Sequence, residues 1–158
     1  MTTLEPQLSP LLRLSVQYAT MTHTPPARPT VRTWVKTALA WMGATGEITV
    51  RFVAEKESRD LNQQYRQKPA PTNVLSFDYR DVGSVAKTLF GDIVICSAVV
   101  AREATKYQQP LLACYAHMVI HGVLHLAGYQ HDSATDAAVM EAAEKNILAK
   151  LKMGDPYA

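Results

Sequence analysis

Apolar and polar residues change rhythm along this chain, and each rhythm predicts an element. Leu12-Arg13-Leu14-Ser15-Val16-Gln17-Tyr18 alternates with the period of a half-buried strand. Thr22–Pro29, rich in proline, reads as a loop. Val31, Trp34, Val35, Ala38, Leu39 and Met42 then recur at helical spacing, predicting a helix over Thr30–Met42 that Gly43 and Gly46 end. Alternation returns over Ile48–Ala54 as a second strand. Glu57–Gln67, with Leu61 and Tyr65 on one side, predicts a short helix.

Lys68–Thr72 (KPAPT) is a proline-marked loop. Asn73–Tyr79 reads as a third strand and Asp81–Lys87 as a connection containing Gly83. Leu89–Cys96 is almost continuously apolar, which predicts a central strand covered on both faces. The remainder is helical: Ser97–Gln108, the apolar Leu111–Ala127 capped by Gly128, and an amphipathic Ser133–Met153. The expected fold is α+β: a small mixed four-stranded sheet packed with about five helices, in one domain spanning residues 1–158. No internal repeat or low-complexity tract interrupts it.

Composition narrows the class. A chain of 158 residues can bury a core without help from a metal or a disulfide. Any metal site is therefore expected to be catalytic, not a structural staple. No apolar run approaches the ~20 residues of a membrane span. The N-terminus lacks a basic stretch before its apolar residues and carries Glu5, so it does not read as a signal peptide. A cytoplasmic location is the expectation. Cys96 and Cys114 lack metal-binding or redox spacing and read as buried reduced thiols. Residues 1–110 carry 13 Lys/Arg against 9 Asp/Glu, a balance of +4; residues 111–158 carry 3 against 5, a balance of −2. That mild basic bias permits contact with a polyanion but does not announce one.

The chemistry concentrates in HGVLHLAGYQH. Residues i and i+4 of a helix share a face, so His121 and His125 can grip one ion. Gly128 lets the chain turn back and His131 close on the same ion. Three neutral imidazoles with an open fourth position fit catalytic zinc. His117 lies on the same face but about 12 Å along the axis from His125, too far for one ion to take both. A structural or supporting role is expected for it. His23, in the proline-rich loop, is read as bland. The glutamate that follows the first histidine in HExxH zinc peptidases is Gly122 here, so the helix supplies no carboxylate base. Arg66 suits bidentate phosphate binding. Lys68, Asn73 and Ser76 are candidate substrate contacts. Asp92 could serve as acceptor for a ligand histidine or as a strand-end cap.

LNQQYRQKPAPTNVLSF, then GDIVIC, then AHMVIHGVLHLAGYQHD, closing with GDPY, resemble the bacterial YbeY endoribonuclease family from about Ile48 to Tyr157. The resemblance implies a cytoplasmic, zinc-dependent endoribonuclease specific for single strands, with a zinc-hydrolase-like fold. It implies action in 16S rRNA 3′-end maturation and ribosome quality control, with the ribosome and ribosomal proteins as partners. It places the zinc ligands on His121, His125 and His131 and the functional arginine on Arg66. Two positions depart from the pattern: Gln130 stands where the family usually has aspartate, and Pro69 where it often has an acid. On this reading zinc activates a water, or the RNA supplies its own 2′-OH, while Arg66 binds the scissile phosphate. A zinc peptidase or amidase, and a non-catalytic ribosome-assembly factor, are the competing readings. Oligomeric state is left open.

Overall fold

The computed structural model describes residues 12–80 and 87–157. The N-terminal segment read for a signal peptide, and the connection at 81–86, lie outside them. Four strands, β1 (Leu12–Tyr18), β2 (Thr45–Val53), β3 (Val74–Asp78) and β4 (Thr88–Cys96), form one sheet in the order β1-β2-β4-β3. The first three neighbours run parallel and β3 is antiparallel to β4. Five helices accompany them: α1 (Arg28–Met42), α2 (Glu55–Arg66), α3 (Ser97–Lys106), α4 (Leu111–Leu126) and α5 (Ala134–Lys150). This is the expected α+β architecture, with β4 central as its apolar run required.

Strand alternation splits the core into two layers. Ile48, Val50, Phe52, Leu89, Ile93 and Ile95 point to the face covered by α1 and α4, with α5 packed behind. Val53, Leu75, Val94 and Cys96 point to the opposite face, toward α2 and the start of α3. α4 is apolar almost all round because it lies between the sheet and α5, and eight of its residues are buried.

Boundaries differ from expectation where backbone chemistry intervenes. Gly43 ends α1 in the left-handed conformation (φ 66°), but Gly46 is already inside β2, paired with Leu12 and Leu89. Ala54 is the N-cap of α2, not part of the strand. Asn73 precedes β3, its side-chain Oδ1 accepting from the N–H of Val74 at 2.7 Å. α5 stops at Lys150; Lys152, expected in its last turn, adopts φ 59° beyond the helix.

Two glycines set how closely α4 and its turn approach the sheet. A Cβ on Gly122 would lie 2.6 Å from Ile93 Cγ2, so this position faces the sheet. A Cβ on Gly91 would lie 2.3 Å from the Phe77 carbonyl oxygen and 2.6 Å from Leu126 Cδ2. Backbone cannot yield as a side chain can. Gly91→Ala is therefore expected to destabilise the fold by about 3 kcal/mol, the upper range for overpacking, read as a lowered urea midpoint.

Candidate metal centre

α4 carries three of the relevant histidines on one face. His121 and His125, one turn apart, bring their Nε2 atoms to 3.1 Å. The helix then ends in a Schellman turn: the N–H of Gly128 donates to His125 O at 3.0 Å, and that of Tyr129 to Leu124 O at 3.0 Å. Gly128 holds φ +100°, a conformation that favours glycine. Arg80, anchored on Asp78, donates from Nη2 to the Leu126 carbonyl and so satisfies one of the helix's last acceptors. The turn returns His131, whose ring centroid lies 4.9 Å from that of His125 and 5.6 Å from that of His121. Ligand atoms of His121, His125 and His131 lie within 4.8 Å of one another and could hold a metal ion. His131 is exposed, so the group opens to solvent on one side.

Electrostatics keep the His125 ring in ligand form. Burial, reinforced by the charge His121 and His131 would carry, pushes the His125 imidazole down to about 4 from an ordinary 6.5. The ring therefore stays neutral at pH 7. For the metal-free protein this has a stability consequence. As pH falls, the unfolded chain takes up its proton near 6.5 while the folded ring resists until about 4. The contribution is complete above pH 6.5 and is lost as pH falls toward 4. Urea midpoints of chelator-treated protein should accordingly drop between pH 7 and pH 4, and His125→Asn should flatten that slope.

Behind the triad lies a residue that sequence reading passed over. Glu144, on α5, is fully buried. Its Oε2 accepts from His121 Nδ1 at 2.6 Å and lies 3.2 Å from His117 Nε2, and its Oε1 accepts from the Tyr157 hydroxyl. Burial alone would raise this carboxyl. Hydrogen bonds from His117 and His121, then the nearby charge of His117 and the Tyr157 hydrogen bond, overcome that and hold it near 2. Burial and the adjacent carboxylate push the Tyr157 phenol well above its ordinary value. His117, His121 and Glu144 also gather atoms that could hold a metal. They are already bonded to one another, so His117 takes the supporting place expected of it. The missed signal was a lone acid on the apolar stripe Met140, Ala143, Ile147, Leu148.

The other candidates scatter. Arg66 ends α2, on the opposite face of the sheet from α4, and is exposed. It has no hydrogen-bond or ion-pair partner among the described residues. Lys68 is exposed in the following loop. Asn73 donates to Glu103 Oε1 at 3.0 Å. Ser76 faces α4, its hydroxyl donating to the Gly122 carbonyl at 3.4 Å. Asp92 is neither a histidine acceptor nor a cap: it accepts from the Tyr79 hydroxyl at 2.8 Å on the outer face. His23 gives only its carbonyl, to Tyr115. Cys96 is buried and Cys114 half-buried, both free.

The family model described as Endoribonuclease YbeY matches residues 17–152. The chain belongs to the endoribonuclease YbeY family. It is 47% identical to the Endoribonuclease YbeY of Nitrosospira multiformis, covering 93% of this chain and 82% of that protein. It is 45% identical to that of Alcanivorax borkumensis, covering 94% and 88%. The solution structure of a Thermotoga maritima protein superposes with a TM-score of 0.60 at 22% identity, over 88% of this chain and 91% of that one, a likeness of fold. Among the described residues no helix is long and apolar enough to cross a membrane.

Proposed function

We propose that this YbeY-family chain is a zinc-dependent endoribonuclease specific for single-stranded RNA, acting in 16S rRNA 3′-end maturation and ribosome quality control. The convergence of His121, His125 and His131 carries this reading. Residues 1–158 work as one hydrolase domain in the cytoplasm, with the ribosome and ribosomal proteins as partners.

The donor set fits zinc. Tetrahedral zinc with imidazole ligands at about 2.05 Å has ligand nitrogens about 3.3 Å apart, and the Nε2 atoms of His121 and His125 are 3.1 Å apart. With Nδ1–H of His121 given to Glu144, its Nε2 presents a lone pair. His125 is held neutral, and His131 is placed by the Gly128 turn. Zinc held by these residues supplies Lewis acidity, lowering the pKa of water from about 15.7 to about 7 and polarising a phosphoryl oxygen. Gly122 faces Ile93, so a carboxylate at that position would meet the sheet, which disfavours a peptidase of the HExxH kind.

Arg66 and Lys68 supply charge for the RNA backbone. The Arg66 guanidinium has no protein partner among the described residues, which leaves its fork for a phosphate. Because Arg66 lies on the sheet face away from α4, its effect is expected on RNA binding: Arg66→Ala should lower cleavage at limiting RNA by about 10-fold, the scale of one lost charge-assisted contact, with Arg66→Lys between it and wild type. Initial rates on a single-stranded RNA measure this; unchanged rates remove Arg66 from the site.

The whole reading is tested by elemental analysis of the purified protein alongside cleavage assays on rRNA 3′ precursors and on an unstructured protein. Stoichiometric zinc and chelator-sensitive RNA cleavage are expected. Chelator-insensitive cleavage, or proteolysis in place of it, would overturn the reading.

A further inference from the structure

Two sequence segments supply none of the three candidate ligands, yet the fold brings them together. Asn73, from PTNVLSF, and Gly154, Pro156 and Tyr157, from GDPY, line a cleft of about 590 Å³. Its volume falls in the range of sites that enclose a small molecule. Val100, Ala113, Met118 and Leu148 make its walls largely apolar. One lining residue, His117, belongs equally to the metal centre: it lies 3.2 Å from Glu144, and its ring centroid is 6.1 Å from that of His121. The cleft therefore opens beside the place proposed for phosphodiester cleavage.

Its polar groups select a ligand. Neither lysine nor arginine is among the described residues lining it, and its acid is Glu103. A phosphate would be repelled there. Asn73 is tied at both ends, accepting from the N–H of Val74 and donating to Glu103 Oε1 at 3.0 Å. The Glu103 carboxylate is thereby held in orientation, and its Oε2 has no partner among the described residues. An ionised carboxylate only accepts hydrogen bonds. The fitting occupant is a flat, neutral heterocycle with N–H donors on its edge. Tyr107, largely exposed, lines the same cleft and offers a stacking surface. Lys106 lies over one face of that ring, Nζ 5.2 Å from its centroid, which leaves the other face for a base and keeps a cation near for the attached phosphate.

We propose that this cleft is a base-recognition site for the RNA strand, in which Glu103 reads the Watson–Crick edge of a guanine next to the cleaved bond. Guanine presents two adjacent donors, N1–H and N2–H2, matching a carboxylate's two acceptors; the other bases present fewer. The proposal rests on the endoribonuclease reading above, and two measurements separate their fates.

In the first, guanosine and uridine are titrated into zinc-loaded protein and the side-chain amide resonances of Asn73 and Gln109, both lining the cleft, are followed by NMR. Guanosine should bind at least about 5-fold more tightly, the low end for a bidentate base contact. In the second, a randomised single-stranded RNA is digested and the product ends sequenced. Guanine should be enriched by a similar factor at one position beside the cut. Glu103→Gln, a near-isosteric change on a half-exposed position, replaces an acceptor with a donor and should erase both preferences. Equal binding of the two nucleosides overturns the base site whether or not RNA is cut. Cleavage with flat base composition, or preferences unaltered in Glu103→Gln, overturns it as well. Guanosine preference without any RNA cleavage instead leaves the base site standing and sinks the endoribonuclease reading.

Discussion

His125→Ala should abolish zinc retention and lower RNA cleavage by at least about 1,000-fold. The size follows from what the metal contributes. Lewis acidity that shifts the pKa of water by roughly nine units cannot be replaced by a neighbouring side chain. Changing a residue that only orients a ligand commonly costs about 10- to 100-fold. His125 is the ligand candidate with least redundancy. His121 could be approached from either end of its row, and His131 sits on an exposed turn, whereas His125 is the half-buried ring between them. The variant should still fold. The ring is half-buried, and in the metal-free protein its loss gives up one contact with His121 Nε2 at 3.1 Å and no part of the apolar core. Elemental analysis gives the zinc content and circular dichroism the fold. Full zinc occupancy in a folded His125→Ala protein would mean that the triad is not the binding group. Wild-type cleavage by a zinc-free protein would mean that the metal is not the catalyst.

The convergence of His121, His125 and His131 was legible because all three fall on one helix and the turn that ends it. Helical spacing fixes His121 against His125, and Gly128 marks where the chain doubles back. The strands were legible for the same reason of short range: a period of two declares itself within seven residues, as in Leu12–Tyr18. What depends on distant segments was not legible. Glu144 lies 23 residues from His121 along the chain, and only the packing of α4 on α5 joins them. Tyr157 reaches Glu144 only because the C-terminal segment folds back past α5. Asp92 shows the converse: the sequence left it open between a histidine acceptor and a strand-end cap, and strand alternation turns it to the other face, where Tyr79 meets it. The base cleft was hidden for the same reason, since Asn73, Glu103 and His117 come from β3's approach, α3 and α4. Gly122 was read as a missing base, and packing adds a second reason for it: Ile93 leaves no room for a Cβ.

Glu144 should be the most consequential residue outside the triad. It is fully buried and serves three partners, so its loss acts on stability and on metal affinity together. Glu144→Ala leaves His117, His121 and the Tyr157 hydroxyl without their acceptor and opens a cavity; a loss of about 3–5 kcal/mol in folding stability is expected, as for breaking a buried charged network. Glu144→Gln separates the two roles. The amide oxygen can still accept from His121, but the amide nitrogen can only donate toward the remaining partner, and the negative charge is gone. Folding should therefore be kept, while the zinc dissociation constant rises about 10- to 100-fold as the His121 tautomer loses its anchor. Chelator competition measures the affinity, and nitrogen chemical shifts of His121 report which ring nitrogen carries the proton. A Glu144→Gln protein with wild-type affinity and an unchanged His121 tautomer would reduce the residue to a packing role. Altered affinity with altered tautomer would instead tie α5 to the chemistry on α4, through a single carboxylate that the fold buries for that contact.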